Sequence, residues 1–112
     1  MKLVKSHEGE PYEAKNHFNS WSTKKIVPEQ VSKRINIVYS HFLPNGGAIM
    51  SASNQERAYY LLSGSMSILD KTQKEHILEP GDMIYIAANE EREIRVLGNQ
   101  TATMVVIMSR VD

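Results

Sequence analysis

Residues 55–86 read QERAYYLLSGSMSILDKTQKEHILEPGDMIYI, and this stretch decides the fold. Ala58-Tyr59-Tyr60-Leu61-Leu62 is a run of aromatic and aliphatic residues stopped by Ser63-Gly64, the pattern of a short strand closed by a turn. Met66–Leu69 and Glu75–Leu78 flank the polar Lys71-Thr72-Gln73-Lys74 and predict a hairpin. Glu79-Pro80-Gly81-Asp82 places Pro second and Gly third, the order of a type II turn, because Pro fixes φ near −65° and Gly accepts positive φ. Met83–Ile86 follows as another strand.

The same rhythm extends outward. Upstream, Lys25-Ile26-Val27 predicts a strand with Glu29–Ser32 as a hairpin loop, and Ile35–Leu43 a longer strand ending at Pro44-Asn45-Gly46-Gly47. Downstream, Glu93–Leu97 turns at Gly98-Asn99 into Thr103–Met108. No amphipathic helix of three turns and no internal repeat is present. Many short strands at this spacing mean a sandwich or barrel, and closure removes exposed edges. Residues 1–20 are polar, with Gly9-Glu10-Pro11 breaking any helix; they are expected to form an irregular N-terminal arm, leaving 21–112 as the barrel.

The 112 residues suffice for one domain with its own core. Thirteen basic residues balance thirteen acidic ones, so no net field recruits nucleic acid or an anionic membrane. Cysteine is absent, which suits a reducing compartment. No signal-like apolar run opens the chain, and no stretch approaches the ~20 apolar residues that span a bilayer. A cytoplasmic location is the expectation.

Gln55–Gly64, preceded by Pro44-Asn45-Gly46-Gly47, resembles the first motif of a cupin, and Leu78–Ile86 the lead-in to the second. The resemblance runs over roughly residues 35–108 and implies a single antiparallel all-β barrel, or jelly roll, of the RmlC-like cupin type. It also implies positions for a metal centre. Metal-binding cupins carry G-x5-H-x-H-x3,4-E-x6-G, then one more His. Counted back from Gly64, the acidic position falls on Arg57 and the two His positions on Ser53 and Ser51; the last falls on Arg92. Using Glu56 instead would turn that side chain to the opposite face.

Arginine has no lone pair to give a cation, whereas it grips a carboxylate or phosphate with parallel hydrogen bonds. The substitution set therefore predicts no metal and no cofactor, with Arg57, Arg92, Ser51 and Ser53 binding a small organic anion. The competing reading for the arginines is surface pairing with neighbouring glutamates, worth little energy. Tyr59, two residues along, shares the face of Arg57 and offers a hydroxyl. His41 is the expected acid–base residue, with His17 in the arm ranked below it. His76 and His7 are expected on an exposed hairpin and a loose terminus.

Three functions compete. In the first, the protein is a metal-free cupin holding a small anion, as a catabolic accessory or ligand-binding protein. In the second, it is a cofactorless isomerase, epimerase or lyase, in which His41 or Tyr59 moves a proton. In the third, the barrel is a ligand-free oligomerisation module filled with bulky side chains. The resemblance also implies a homodimer paired sheet to sheet.

Overall fold

A computed structural model describes residues 1–111. Nine strands form, and the described residues contain no helix, hence none long and apolar enough to cross a membrane. They are β1 (Glu10–Tyr12), β2 (His17–Ile26), β3 (Ile35–Ser51), β4 (Gln55–Ser63), β5 (Met66–Asp70), β6 (Glu75–Leu78), β7 (Met83–Ile86), β8 (Arg92–Val96) and β9 (Ala102–Arg110). The strand order is β6-β5-β8-β3-β9-β4-β7, with β2 also on β3 and β1 on β2. Every ladder is antiparallel. The all-β barrel expected from the sequence is the fold observed.

β3 organises the barrel. Ile35–Phe42 pairs with β9, while Gly47–Ser51 pairs with β8, so one long strand links β6-β5-β8 to β9-β4-β7. The sequence predicts a turn at Pro44–Gly47; the strand instead continues through it. The segment is a corner, not an end. Opposite it, the register of β2 slips between Phe18 and Ser20, and both Asn19 (φ 48°) and Asn45 (φ 69°) take the left-handed conformation. Turn-forming residues serve a bulge as readily as a reversal. At Gly47 the backbone of Ile94 lies so close that a Cβ would sit 2.0 Å from its carbonyl oxygen.

The N-terminal segment is also more ordered than its composition suggests. β2 begins at His17 and runs across the expected boundary at residues 20 and 21, and β1 sits on it with Tyr12 opposite Ser22. Here the alternation is reversed. Ser22 is buried and bonded to buried Ser40 (Oγ to Oγ, 3.0 Å), whereas Trp21 points outward and is 48% exposed. A strand with serine inside and tryptophan outside gives no hydrophobic alternation to read.

Inward-facing residues of the strands fill one end of the barrel with Phe42, Leu61, Met66 and Ile94, all essentially without solvent contact. The Glu79–Asp82 turn closes as expected, with Asp82 N–H donating to the Glu79 carbonyl (2.9 Å) and Gly81 at φ 93°. In the β5–β6 hairpin, the Asp70 carboxylate accepts from Thr72 N–H (2.9 Å), Thr72 Oγ1 (2.5 Å) and Lys74 N–H (3.1 Å). These bonds, the Thr72 hydroxyl foremost, hold its pKa down at about 2.

Candidate functional site

The other end of the barrel opens into a cavity of about 460 Å³. That lies within the range of sites for small organic ligands. β4 contributes Arg57 and Tyr59, which point inward because they alternate with outward-facing Glu56 and Ala58. β8 contributes Arg92 at its first residue. Ser51 ends β3, and Ser53 lies in the loop leading to β4. All five line the cavity.

Both arginines are only 5% exposed and Tyr59 only 2%. The phenolic oxygen of Tyr59 joins them, accepting from Arg92 Nε (2.8 Å) and from Arg57 Nη1 (3.3 Å). Arg92 Nη1 also donates to Ser51 Oγ (3.0 Å) and the Ile49 carbonyl (3.2 Å). Arg57 Nη2 donates to the Glu90 backbone carbonyl (3.1 Å), while its Nε is buried with no partner. Ser53 Oγ accepts from Gln55 N–H (3.1 Å).

No carboxylate approaches either guanidinium within ion-pair distance among the described residues, and none lines the cavity. The surface pairing with glutamates therefore does not form; Glu56 faces outward and accepts from the Tyr85 hydroxyl (2.9 Å). Burial pulls the Arg57 guanidinium below its usual pKa, an effect that Tyr59 partly opposes and Arg92 reinforces. Two buried like charges with an unused donor make a cavity short of negative charge.

His41 does not reach this site, a correction to the expectation. Inward positions of β3 are Val38, Ser40 and Phe42, so His41 lies on the outer face, stacked on Trp21 (4.9 Å between centroids) and bonded to Thr103 Oγ1 (2.9 Å). The histidine that lines the cavity is His17, at the start of β2. Its Nδ1 bonds the Lys15 carbonyl (2.6 Å), and its ring stacks on Phe42 (5.7 Å). Burial first, then the charges of Arg92 and Arg57, lower its pKa despite the opposing Lys15 bond. The ranking of the two histidines turns on β2 pairing with β3, which places His17 opposite Ala48.

The lining missed by sequence reasoning also comes from the N-terminal strands. Tyr12 closes one wall beneath Lys24, whose ammonium lies 5.1 Å from the ring centroid. Burial raises the Tyr12 phenol pKa. Val38, Met104, Val106 and Met108 supply the apolar wall.

A model of the cupin domain matches residues 38–108. The chain belongs to the cupin domain family. Three solved structures show the shared fold. A polyketide cyclase, RemF from Streptomyces resistomycificus, superposes with a TM-score of 0.85 at 21% identity, covering 97% of this chain and 79% of that one. A predicted oxalate decarboxylase from Thermotoga maritima gives 0.82 at 17%, covering 98% and 100%. A structure of DMSP lyases gives 0.72 at 15%, covering 80% and 47%. No curated protein matches the chain in sequence.

The divalent metal that cupins commonly hold does not fit these residues. Its four positions carry two hydroxyls and two guanidiniums, and the buried Arg57 and Arg92 would repel a cation at that point. Among the described residues no three His, Cys, Asp or Glu side chains converge as an alternative cradle.

Proposed function

We propose that this cupin binds a small organic anion in its cavity, with guanidinium charge standing where the fold elsewhere holds a metal ion. The observation that carries the reading is Arg57 and Arg92 buried on one tyrosine oxygen, with the Arg57 Nε–H unpartnered and no carboxylate lining the cavity. A carboxylate bound there would accept that donor and neutralise the pair. Val38, Val106 and Met108 opposite favour an acid with an apolar body. The ligand-free module is disfavoured by a barrel that is hollow at this end. Thermal-shift measurements with a panel of small carboxylic acids and of divalent metals test the reading. Stabilisation by acids, weakened at least ~10-fold in affinity by Arg57→Met, is the expected result. Stabilisation by a transition metal at low micromolar concentration overturns it.

The second reading, a cofactorless isomerase, epimerase or lyase, is favoured by His17 at the cavity wall, where His41 had been expected to act. Neighbours named as a polyketide cyclase and DMSP lyases support catalysis in such a barrel by analogy of fold alone.

We further infer pairing with a second copy through the outer sheet face. Trp21, Tyr39, Ile107, Met83 and Tyr85 are each more than a third exposed there. The ladders join them into one surface: Trp21 beside His41, Tyr39 beside Val105, Tyr60 and Met83 in turn, Ile107 beside Ala58 and Tyr85. Monomers rarely leave so continuous an apolar face in water, and a chain of zero formal charge does not repel its copy. Sedimentation at micromolar concentration is expected to show a dimer, and a monomer refutes the pairing.

A further inference from the structure

Two groups at the cavity have proton chemistry that anion binding leaves unused. The first is His17. A carbonyl oxygen can only accept, so the 2.6 Å contact with Lys15 fixes the proton of the neutral ring on Nδ1. The lone pair is then on Nε2, which has no hydrogen-bond partner among the described residues. Stacking on Phe42 holds the ring, and Ile49 N–H donating to the Asn16 carbonyl (2.9 Å) ties down the backbone beside it. Burial and the two nearby arginines lower the pKa of the imidazole, which favours its uncharged form.

The second is Tyr59. Its oxygen accepts from both guanidiniums, which occupies its two lone pairs. Its own O–H has no acceptor among the described residues and remains able to donate. An anion clamp, an unprotonated imidazole nitrogen and an unengaged phenol thus line one cavity.

We propose that this cavity catalyses proton transfer at a carbon adjacent to a carbonyl in a small oxo acid, with His17 Nε2 as base and the Tyr59 hydroxyl as donor to the carbonyl oxygen. The assignment rests on the anion-binding reading above and names its substrate class. Arg57 and Arg92 hold the carboxylate. His17 removes the C–H proton; the C–H electron pair becomes a C=C bond, and the carbonyl π pair moves onto oxygen, where the Tyr59 O–H stabilises it. The imidazolium, after trading its proton with solvent, returns one to the same face of the same carbon, giving exchange with retention, or to a conjugated carbon, giving double-bond migration. No electron leaves the substrate and no co-reactant is consumed.

Phenylpyruvate and 2-oxobutyrate in D2O serve as probes, with exchange of the hydrogens next to the carbonyl followed by proton NMR and binding followed separately by thermal shift. Exchange about 100-fold or more above buffer is expected. His17→Gln is expected to return it to the buffer rate while the probe still stabilises the protein, and His41→Gln, outside the cavity, to leave it unchanged. Should His17→Gln not fold, Tyr59→Phe carries the test, with exchange slowed about 100-fold. A probe that binds without accelerated exchange, or undiminished exchange in His17→Gln, overturns the proposal and spares the anion site. Absence of binding by either probe removes the oxo-acid assignment, and absence of binding by every acid in the wider panel removes the anion site with it.

Discussion

Strand β4 carries Arg57 and Tyr59 to the open end of the barrel and Leu61 to the closed end, and β8 repeats the arrangement with Arg92 and Ile94. Backbone geometry is the same along each strand, since every second residue points inward. What differs is what the side chains want. At the closed end apolar groups leave water and gain close contacts, so burial stabilises. At the open end two guanidiniums lose hydration, repel each other and share one oxygen, so burial costs stability unless a ligand repays it. Charged groups held in a cavity at the expense of stability are a trade that functional sites in general make.

The largest effect expected is at the closed end. Leu61→Ala removes a fully buried side chain and is expected to destabilise the protein by about 2–5 kcal/mol in denaturant unfolding, with little effect on anion affinity. An anion affinity that fell in step with stability would mean that the two ends are not separate.

Next come two substitutions at the open end, which sharpen the contrast by moving in different directions. Tyr59→Phe strips the acceptor from two buried guanidinium donors and is expected to cost about 1–3 kcal/mol, partly restored by a bound acid. Arg57→Met removes a buried charge whose Nε was never satisfied, and is expected to change apo stability by less than about 1 kcal/mol or to raise it, while weakening acid binding. A large loss of apo stability in Arg57→Met would show that the guanidinium pair supports the fold.

The smallest effect lies outside both ends, at Asp70. Its pKa of about 2 in the folded state lies below the ordinary 3.8, so its contribution is present above pH 4 and is lost as pH falls toward 2. Asp70→Asn is expected to flatten the decline of melting temperature between pH 4 and 2 slightly, without altering the cavity.

Sequence carried the barrel because most of its strands are apolar runs bounded by Gly, Pro and polar turns, and such runs report burial directly. It carried the inward orientation of Arg57 and Tyr59 because both are spaced from Gly64 by a motif whose geometry the fold preserves. It failed where side-chain identity and position part company. Pro44–Gly47 has turn composition but occupies a corner within β3, because a bulge and a reversal use the same residues. β2 buries Ser22 and exposes Trp21, so alternation hides a strand that exists only through its pairing with β3. The choice between His41 and His17 turned on that pairing, and no local pattern contains it.

The position of β9 has a consequence for how the molecule is made. It lies between β3 and β4 in the strand order, yet it follows both in sequence, with β5 to β8 in between. Earlier hairpins such as β5–β6 can close by local contacts while synthesis continues, but β3 and β4 have no neighbour to join them until Ala102–Arg110 emerges. Two strand edges therefore stay unpaired until β9 is made, and joining them is a long-range step of the slow kind.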